Sequence, residues 1–137
     1  KPKLPNFLIF DLGGQKRFQF IHDSFVKGAS GCILLYDATR EKSYDGLRAW
    51  LDLINNNCGE IPVVVAGTKK DLCQREDLNH YRKKWKTFYG NFLKEFFPNI
   101  VKHILISSKD YCGVDEVFQI LAKEIMSDTN EIKALAM

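Results

Sequence analysis

No apolar run in this 137-residue chain approaches the roughly 20 residues needed to span a bilayer, which removes a transmembrane helix from consideration. No two cysteines fall at CxxC spacing and no histidine stands at zinc spacing from one. Cys32, Cys58, Cys73 and Cys112 therefore read as free thiols of a reducing cytosol, not as a metal or redox centre. A large excess of one sign of charge is lacking as well: a net charge of +3 and an isoelectric point near 8.6 give no sign of the concentrated basic face that nucleic-acid binding requires. Internal repeats, low-complexity tracts and linkers are missing, so residues 1–137 read as a single domain. Lys1-Pro2-Lys3-Leu4-Pro5 has no signal-peptide core, and Ala134-Leu135-Ala136-Met137 offers no cysteine for prenylation. The expectation is a cytoplasmic protein with no membrane anchor in these residues, a position peripheral to a membrane being the alternative.

What is present suits a buried core: 45% of residues are hydrophobic and 27% charged, the balance of an ordinary folded domain. Four apolar runs, Phe7 to Phe10, Cys32 to Tyr36, Val63 to Ala66 and Ile104 to Ile106, are continuous and not alternating, as expected of parallel strands covered on both faces. Between them the period is helical. Leu47, Trp50, Leu51 and Ile54 recur at three and four residues, as do Val117, Phe118, Leu121 and Ile125. An aromatic stripe of Tyr81, Trp85, Phe88, Tyr89, Phe92 and Phe96 is closed by Pro98 and is expected to face the core, with Arg82, Lys83, Lys84 and Lys86 as its solvated face. Strand, helix, strand in this rhythm predicts an α/β fold with an open, mostly parallel sheet and helices on both faces.

Ligands of such sheets bind beyond the carboxyl ends of the strands, which directs attention to the polar residue after each apolar run. Asp11 closes the first run, Asp37 the second, Gly67-Thr68-Lys69-Lys70-Asp71 follows the third and Ser107-Ser108-Lys109 the fourth. Asp37 is by default a turn-forming or capping residue, with ligand contact as the alternative. A fixed carboxylate at Asp71 can accept two parallel hydrogen bonds from guanine N1–H and its amino group, whereas adenine offers an acceptor at N1. Lys69 can lay its methylene stem on the base plane. The turn from Ser107 to Lys109 offers backbone N–H groups to the guanine carbonyl, with Ser107 tying the loop to Asp71. Asp11 stands where a carboxylate can hold Mg²⁺ through water. Gly13 and Gly14 permit close approach of backbone to a terminal phosphate, and Gln15 can orient an attacking water.

On these motifs the chain resembles a Ras-superfamily small GTPase. Phe10 to Phe18 (FDLGGQKRF) resembles the DxxGQ element and switch II, Gly67 to Asp71 the [NT]KxD element, and Ser107 to Lys109 the SAK loop. Leu35-Tyr36-Asp37-Ala38-Thr39 and Leu47-Arg48-Ala49-Trp50-Leu51 are similar to the fourth strand and third helix of Rab and Ras proteins, while the double glycine is more like the Arf branch. Thr68 stands for the usual asparagine, Ser108 for the usual alanine, and the stretch from Asp71 to Ser107 is longer than in Rab proteins. The resemblance implies a G domain of the P-loop NTPase type that binds GTP and GDP with Mg²⁺ and hydrolyses GTP as a switch in signalling or trafficking. Gln15 would be catalytic, Asp11 would serve the metal, and Gly14, Thr68, Lys69, Asp71, Ser107, Ser108 and Lys109 the nucleotide. Effectors, exchange factors and GTPase-activating proteins would meet it through Gln15 to Lys27.

The phosphate-cradling GxxxxGK[ST] is not in these residues. Gly67-Thr68-Lys69 has threonine and lysine reversed, and Gly28-Ala29-Ser30-Gly31 lacks the lysine. The resemblance places the absent first strand between Phe7 to Phe10 and Cys32 to Tyr36, so two mid-sheet edges are expected to stand unpaired unless an N-terminal segment, of the same or another chain, fills the gap. A nucleotide-free or non-hydrolysing scaffold is the alternative function. A flavodoxin-like receiver leaves TKKD and SSK at successive strand ends unexplained.

Overall fold

The continuous apolar runs of Cys32 to Tyr36 and Val63 to Ala66 lie in interior strands whose two faces are both covered by helices. The computed structural model describes residues 6–11, 28–126 and 131–136. Five strands, β1 (Asn6–Asp11), β2 (Gly31–Asp37), β3 (Val63–Thr68), β4 (Ile100–Leu105) and β5 (Glu131–Ala136), form one sheet in the order β1-β5-β2-β3-β4. Every pairing is parallel. Helices α1 (Glu41–Asp45) and α2 (Leu47–Cys58) follow β2, α3 (Arg75–Phe88) and α4 (Lys94–Phe96) follow β3, and α5 (Val114–Ile125) follows β4. Parallel neighbours demand such crossovers, since a hairpin cannot join them.

On one face Cys32, Leu34 and Tyr36 of β2 and Val63 and Val65 of β3 pack with Leu47, Leu51 and Ile54 of α2 and Tyr81 of α3. On the other, Ile33, Val64, Ala66 and Ile106 meet Val117 and Leu121 of α5. Both helical stripes therefore bury as their spacing predicts. Acidic side chains fit the helix starts: the Gln74 N–H donates to Asp77 Oδ2 at 3.1 Å, and Asp115 and Glu116 occupy the first turn of α5. The cysteines are free, and burial pushes the Cys32 thiol well above its ordinary range.

Three expectations change. The position between β1 and β2, expected to be open, holds β5: Asn6 to Asp11 pair with Glu131 to Ala136, and Gly31 to Ile33 pair with Ala134 to Ala136. Mid-sheet N–H and C=O groups need partners, and the backbone of residues 131–136 supplies them. The fourth strand runs from Ile100 to Leu105 and not from Ile104 to Ile106, because Lys102 and His103 interrupt the apolar run yet still pair with β3, opposite Val64 and Val65, after a register shift that skips Val101. The aromatic stripe is core only in part. Tyr81 is buried and Trp85, Phe88 and Tyr89 pack against the core, whereas Phe96 is 55% exposed. A π-helical turn at Tyr89–Leu93 adds a residue to the winding, which rotates the next helical turn by about 100° and carries Phe96 off the stripe. The side chain of Phe92 lies outside the described residues.

Candidate functional site

Strands β2, β3 and β4 end side by side, with Asp37 in register with Thr68 and Gly67 with Leu105. The Ile106 N–H donates to the Gly67 carbonyl at 2.7 Å and the Lys70 N–H to the Ile106 carbonyl at 3.0 Å, which lays the TKKD loop against the SSK loop. Lys69 takes the left-handed conformation (φ 62°), turning the chain directly into a 3₁₀ turn at Lys70–Leu72. Asp71 is thereby set at the rim. The Ser107 hydroxyl donates to Asp71 Oδ1 at 2.8 Å and accepts from the Asp110 N–H at 3.1 Å. Ser107 is the one buried polar residue among the described residues, 1% exposed, and it exchanges two backbone hydrogen bonds of 2.9 Å with Cys112 that close the loop. No described residue donates to Asp71 Oδ2, and the N–H groups of Ser108 and Lys109 donate to none of the described residues. A carboxylate oxygen and two backbone amides of adjoining loops are thus left without a partner among the described residues.

Thr68 turns its hydroxyl back to the Tyr36 carbonyl at 3.1 Å, and its own carbonyl accepts from the Ala38 N–H at 3.0 Å, so it fastens β3 to β2. Lys69 reaches across the rim to Asp37, Nζ to Oδ2, at 3.0 Å. Asp37 also closes the expected turn, its Oδ1 accepting from the Thr39 N–H at 2.9 Å and the Thr39 hydroxyl at 2.6 Å. Burial pushes the Asp37 carboxyl up, but the bonds from Thr39 and Lys69 and the lysine's charge outweigh it and hold the group below its usual range.

Beneath the rim, Tyr36 on β2 reaches over β3 to His103 on β4, Oη to Nε2, at 2.6 Å. The crossing is possible because Gly67 stands between them: a Cβ there would lie 2.5 Å from Tyr36 Cζ and Oη. His103 stacks on Tyr36 and on Trp85, with ring centroids 5.7 and 4.8 Å away. Burial, then the charge of Arg82, lowers its pKa to about 4. Sequence reasoning missed this bridge, since its ends lie 67 residues apart with no local signal, and it also missed the closure of the loop by Cys112.

The rim thus brings together Thr68, Lys69, Asp71, Ser107, Ser108 and Lys109, together with Asp37. Asp11 ends β1 at the same end of the sheet, level with Ala136 of β5. Its side chain, the Gly13, Gly14 and Gln15 positions and the stretch to Lys27 lie outside the described residues. Among the described residues no group of three or more His, Cys, Asp or Glu side chains could hold a metal. A cavity of about 140 Å³ lies elsewhere, between Tyr44, Leu47 and Arg48 on one side and Lys84, Trp85 and Phe88 of α3 on the other. No helix among the described residues is long and apolar enough to cross a membrane.

Comparison with known proteins gives this rim its context. Rab-7b of Paramecium octaurelia is 32% identical over 129 residues, covering 90% of this chain and 58% of that protein. Human Rab-8B is 31% identical over 124 residues, 89% of this chain and 55% of its own length. The GTP-binding protein ypt2 of Schizosaccharomyces pombe is 34% identical over 118 residues, 85% of this chain and 54% of its own. The chain spans a little over half the length of these curated relatives. The Ras family profile matches residues 3–127, and with that match, a parallel sheet and the TKKD and SSK loops at adjoining strand ends, the chain belongs to the Ras family.

Proposed function

We propose that the protein is a guanine-nucleotide switch that binds GTP and GDP and hydrolyses GTP, acting in trafficking or signalling. The observation that carries this reading is the hydrogen bond from Ser107 to Asp71 Oδ1, which fixes a carboxylate beside the amides of Ser108 and Lys109. Guanine N1–H and its amino group would donate to Asp71, and the guanine carbonyl would accept from the loop amides. Adenine would leave Asp71 facing an acceptor, a costly mismatch for a site built from polar groups. Lys69 would lay its stem along the base and Thr68 would hold the loop to β2. Asp11 would hold Mg²⁺ through water, the ion supplying charge neutralisation at the phosphates. The Gly14 backbone would approach the terminal phosphate, and Gln15 would orient the attacking water in line. A segment N-terminal to Lys1, of the same or another chain, would supply the phosphate cradle. Gln15 to Lys27 would meet effectors, exchange factors and GTPase-activating proteins. The similarity to Rab proteins supports this reading, and no observation favours a nucleotide-free scaffold.

Asp71→Asn tests the assignment. Asparagine replaces one acceptor by a donor, so guanine affinity should fall on the order of 100-fold while xanthine, which carries a carbonyl in place of the amino group, should bind better. Competition binding on the full-length protein reads the switch in preference. Denatured protein that releases no guanine nucleotide, and binds none on reconstitution, would sink the reading.

A further inference from the structure

The contact between Lys69 and Asp37 joins two residues on different footings. Asp37 is immobilised: its N–H donates to Ser43 Oγ at 2.8 Å, and its Oδ1 is held twice by Thr39, which leaves Oδ2 aimed at the ammonium. Its side chain is 17% exposed, whereas that of Lys69 is 55% exposed. The anchor is therefore fixed and largely enclosed, and the tethered stem runs over the surface. Both ends of the tether stand on strands already locked together, through the register of Asp37 with Thr68 and the bond from Ala38 N–H to the Thr68 carbonyl. The left-handed backbone at Lys69 fixes where the stem starts, and Asp37 fixes where it ends.

We propose that Asp37 is a positioning residue for the guanine base, holding the Lys69 stem across the rim as a wall for the purine face. The inference rests on the nucleotide-binding reading above. A lysine on an exposed loop samples many rotamers, and a ligand that stacks on its stem must first select one. Asp37 makes that selection before the ligand arrives, so less affinity is lost to ordering on binding. Asp37 touches no nucleotide in this scheme and acts only through Lys69.

The test is a double-mutant cycle on the full-length protein, read as the dissociation rate of a fluorescent GDP analogue. Asp37→Asn keeps an acceptor for Thr39, and so keeps the turn, but removes the charge facing Lys69. It should speed dissociation about two- to fivefold, the range of an exposed ion pair. Lys69→Met should act at least as strongly, and the double variant should be no faster than Lys69→Met alone. Asp37→Glu, which restores the charge within reach of a flexible ammonium, should recover most of the wild-type rate. An unchanged rate in Asp37→Asn overturns the proposal, and so does an Asp37→Asn effect that persists in full beside Lys69→Met, because a role in the turn alone would survive loss of the lysine. Wild-type protein that binds no guanine nucleotide removes the underlying reading instead, a result visible before any substitution is made.

Discussion

Replacing Gly67 by alanine is the sharpest test of how the rim is supported. The new Cβ would lie 2.5 Å from Tyr36 Cζ and Oη and 2.7 Å from Leu105 Cδ2. Leu105 can rotate its terminal methyl, but the Tyr36 ring is held by an edge contact with Tyr44 at 5.1 Å and by the stack on His103. Overpacking of this kind costs about 1–3 kcal/mol. Displacing the ring also breaks the bond to His103, worth about 1 kcal/mol, and leaves a largely buried ring nitrogen unpaired at a comparable further cost. Against these stands a gain of about 0.4–1 kcal/mol from a less flexible unfolded chain. The balance is a loss of about 3 kcal/mol, to be measured by urea denaturation followed by tryptophan emission, which Trp85 reports from its stack on His103. Tyr36→Leu removes the two tyrosine atoms and leaves only the rotatable Leu105 methyl in the way, so in that background Gly67→Ala should cost less than about 1 kcal/mol. A loss below about 0.5 kcal/mol in the wild-type background, or an equal loss in both, would refute the reasoning.

Stability should depend on pH through the same bridge. His103 is lowered from 6.5 to about 4 by burial and then by Arg82, so the unfolded chain takes up the proton first as pH falls. The contribution is fully present above pH 6.5 and fades toward pH 4, by up to about 3 kcal/mol, and His103→Gln should flatten the slope of urea midpoint against pH in that window. Parallel slopes for the two proteins would discount the histidine. Ser107→Ala removes the bonds to Asp71 and from Asp110, so we expect about 1–2 kcal/mol less stability and nucleotide dissociation about tenfold faster, read by melting and by stopped flow. Unaltered dissociation would mean that Asp71 needs no tie.

The parts of the fold carried by local pattern were legible. Cys32 to Tyr36 and Val63 to Ala66 are continuous runs that end in polar residues, and they became interior strands ending at the rim. The tie between Ser107 and Asp71 could be anticipated because both residues follow strands that the topology makes neighbours. What stayed hidden depends on distance in sequence or on shifted phase. Lys102 and His103 masked most of β4, and the π turn at Tyr89–Leu93 broke the aromatic period that a straight helix would have kept. Asp37 read as a turn residue because its bonds to Thr39 are local, whereas its hold on Lys69 spans 32 residues. Nothing in residues 131–136 announces a strand lying between two others.

That strand has a consequence for how the molecule is assembled. β5 is the last of the described elements and an interior member of the sheet, and its first pair joins Glu131 to the distant Asn6. Such a contact closes a long loop, and topologies that depend on distant pairings fold slowly. During synthesis β2, β3 and β4 can zip together as soon as each has emerged, but β1 has no described strand beside it until residues 131–136 arrive. Until β5 pairs with it, β1 has an open edge among the described strands, a state exposed to mispairing and one that a chaperone or a neighbouring strand can recognise.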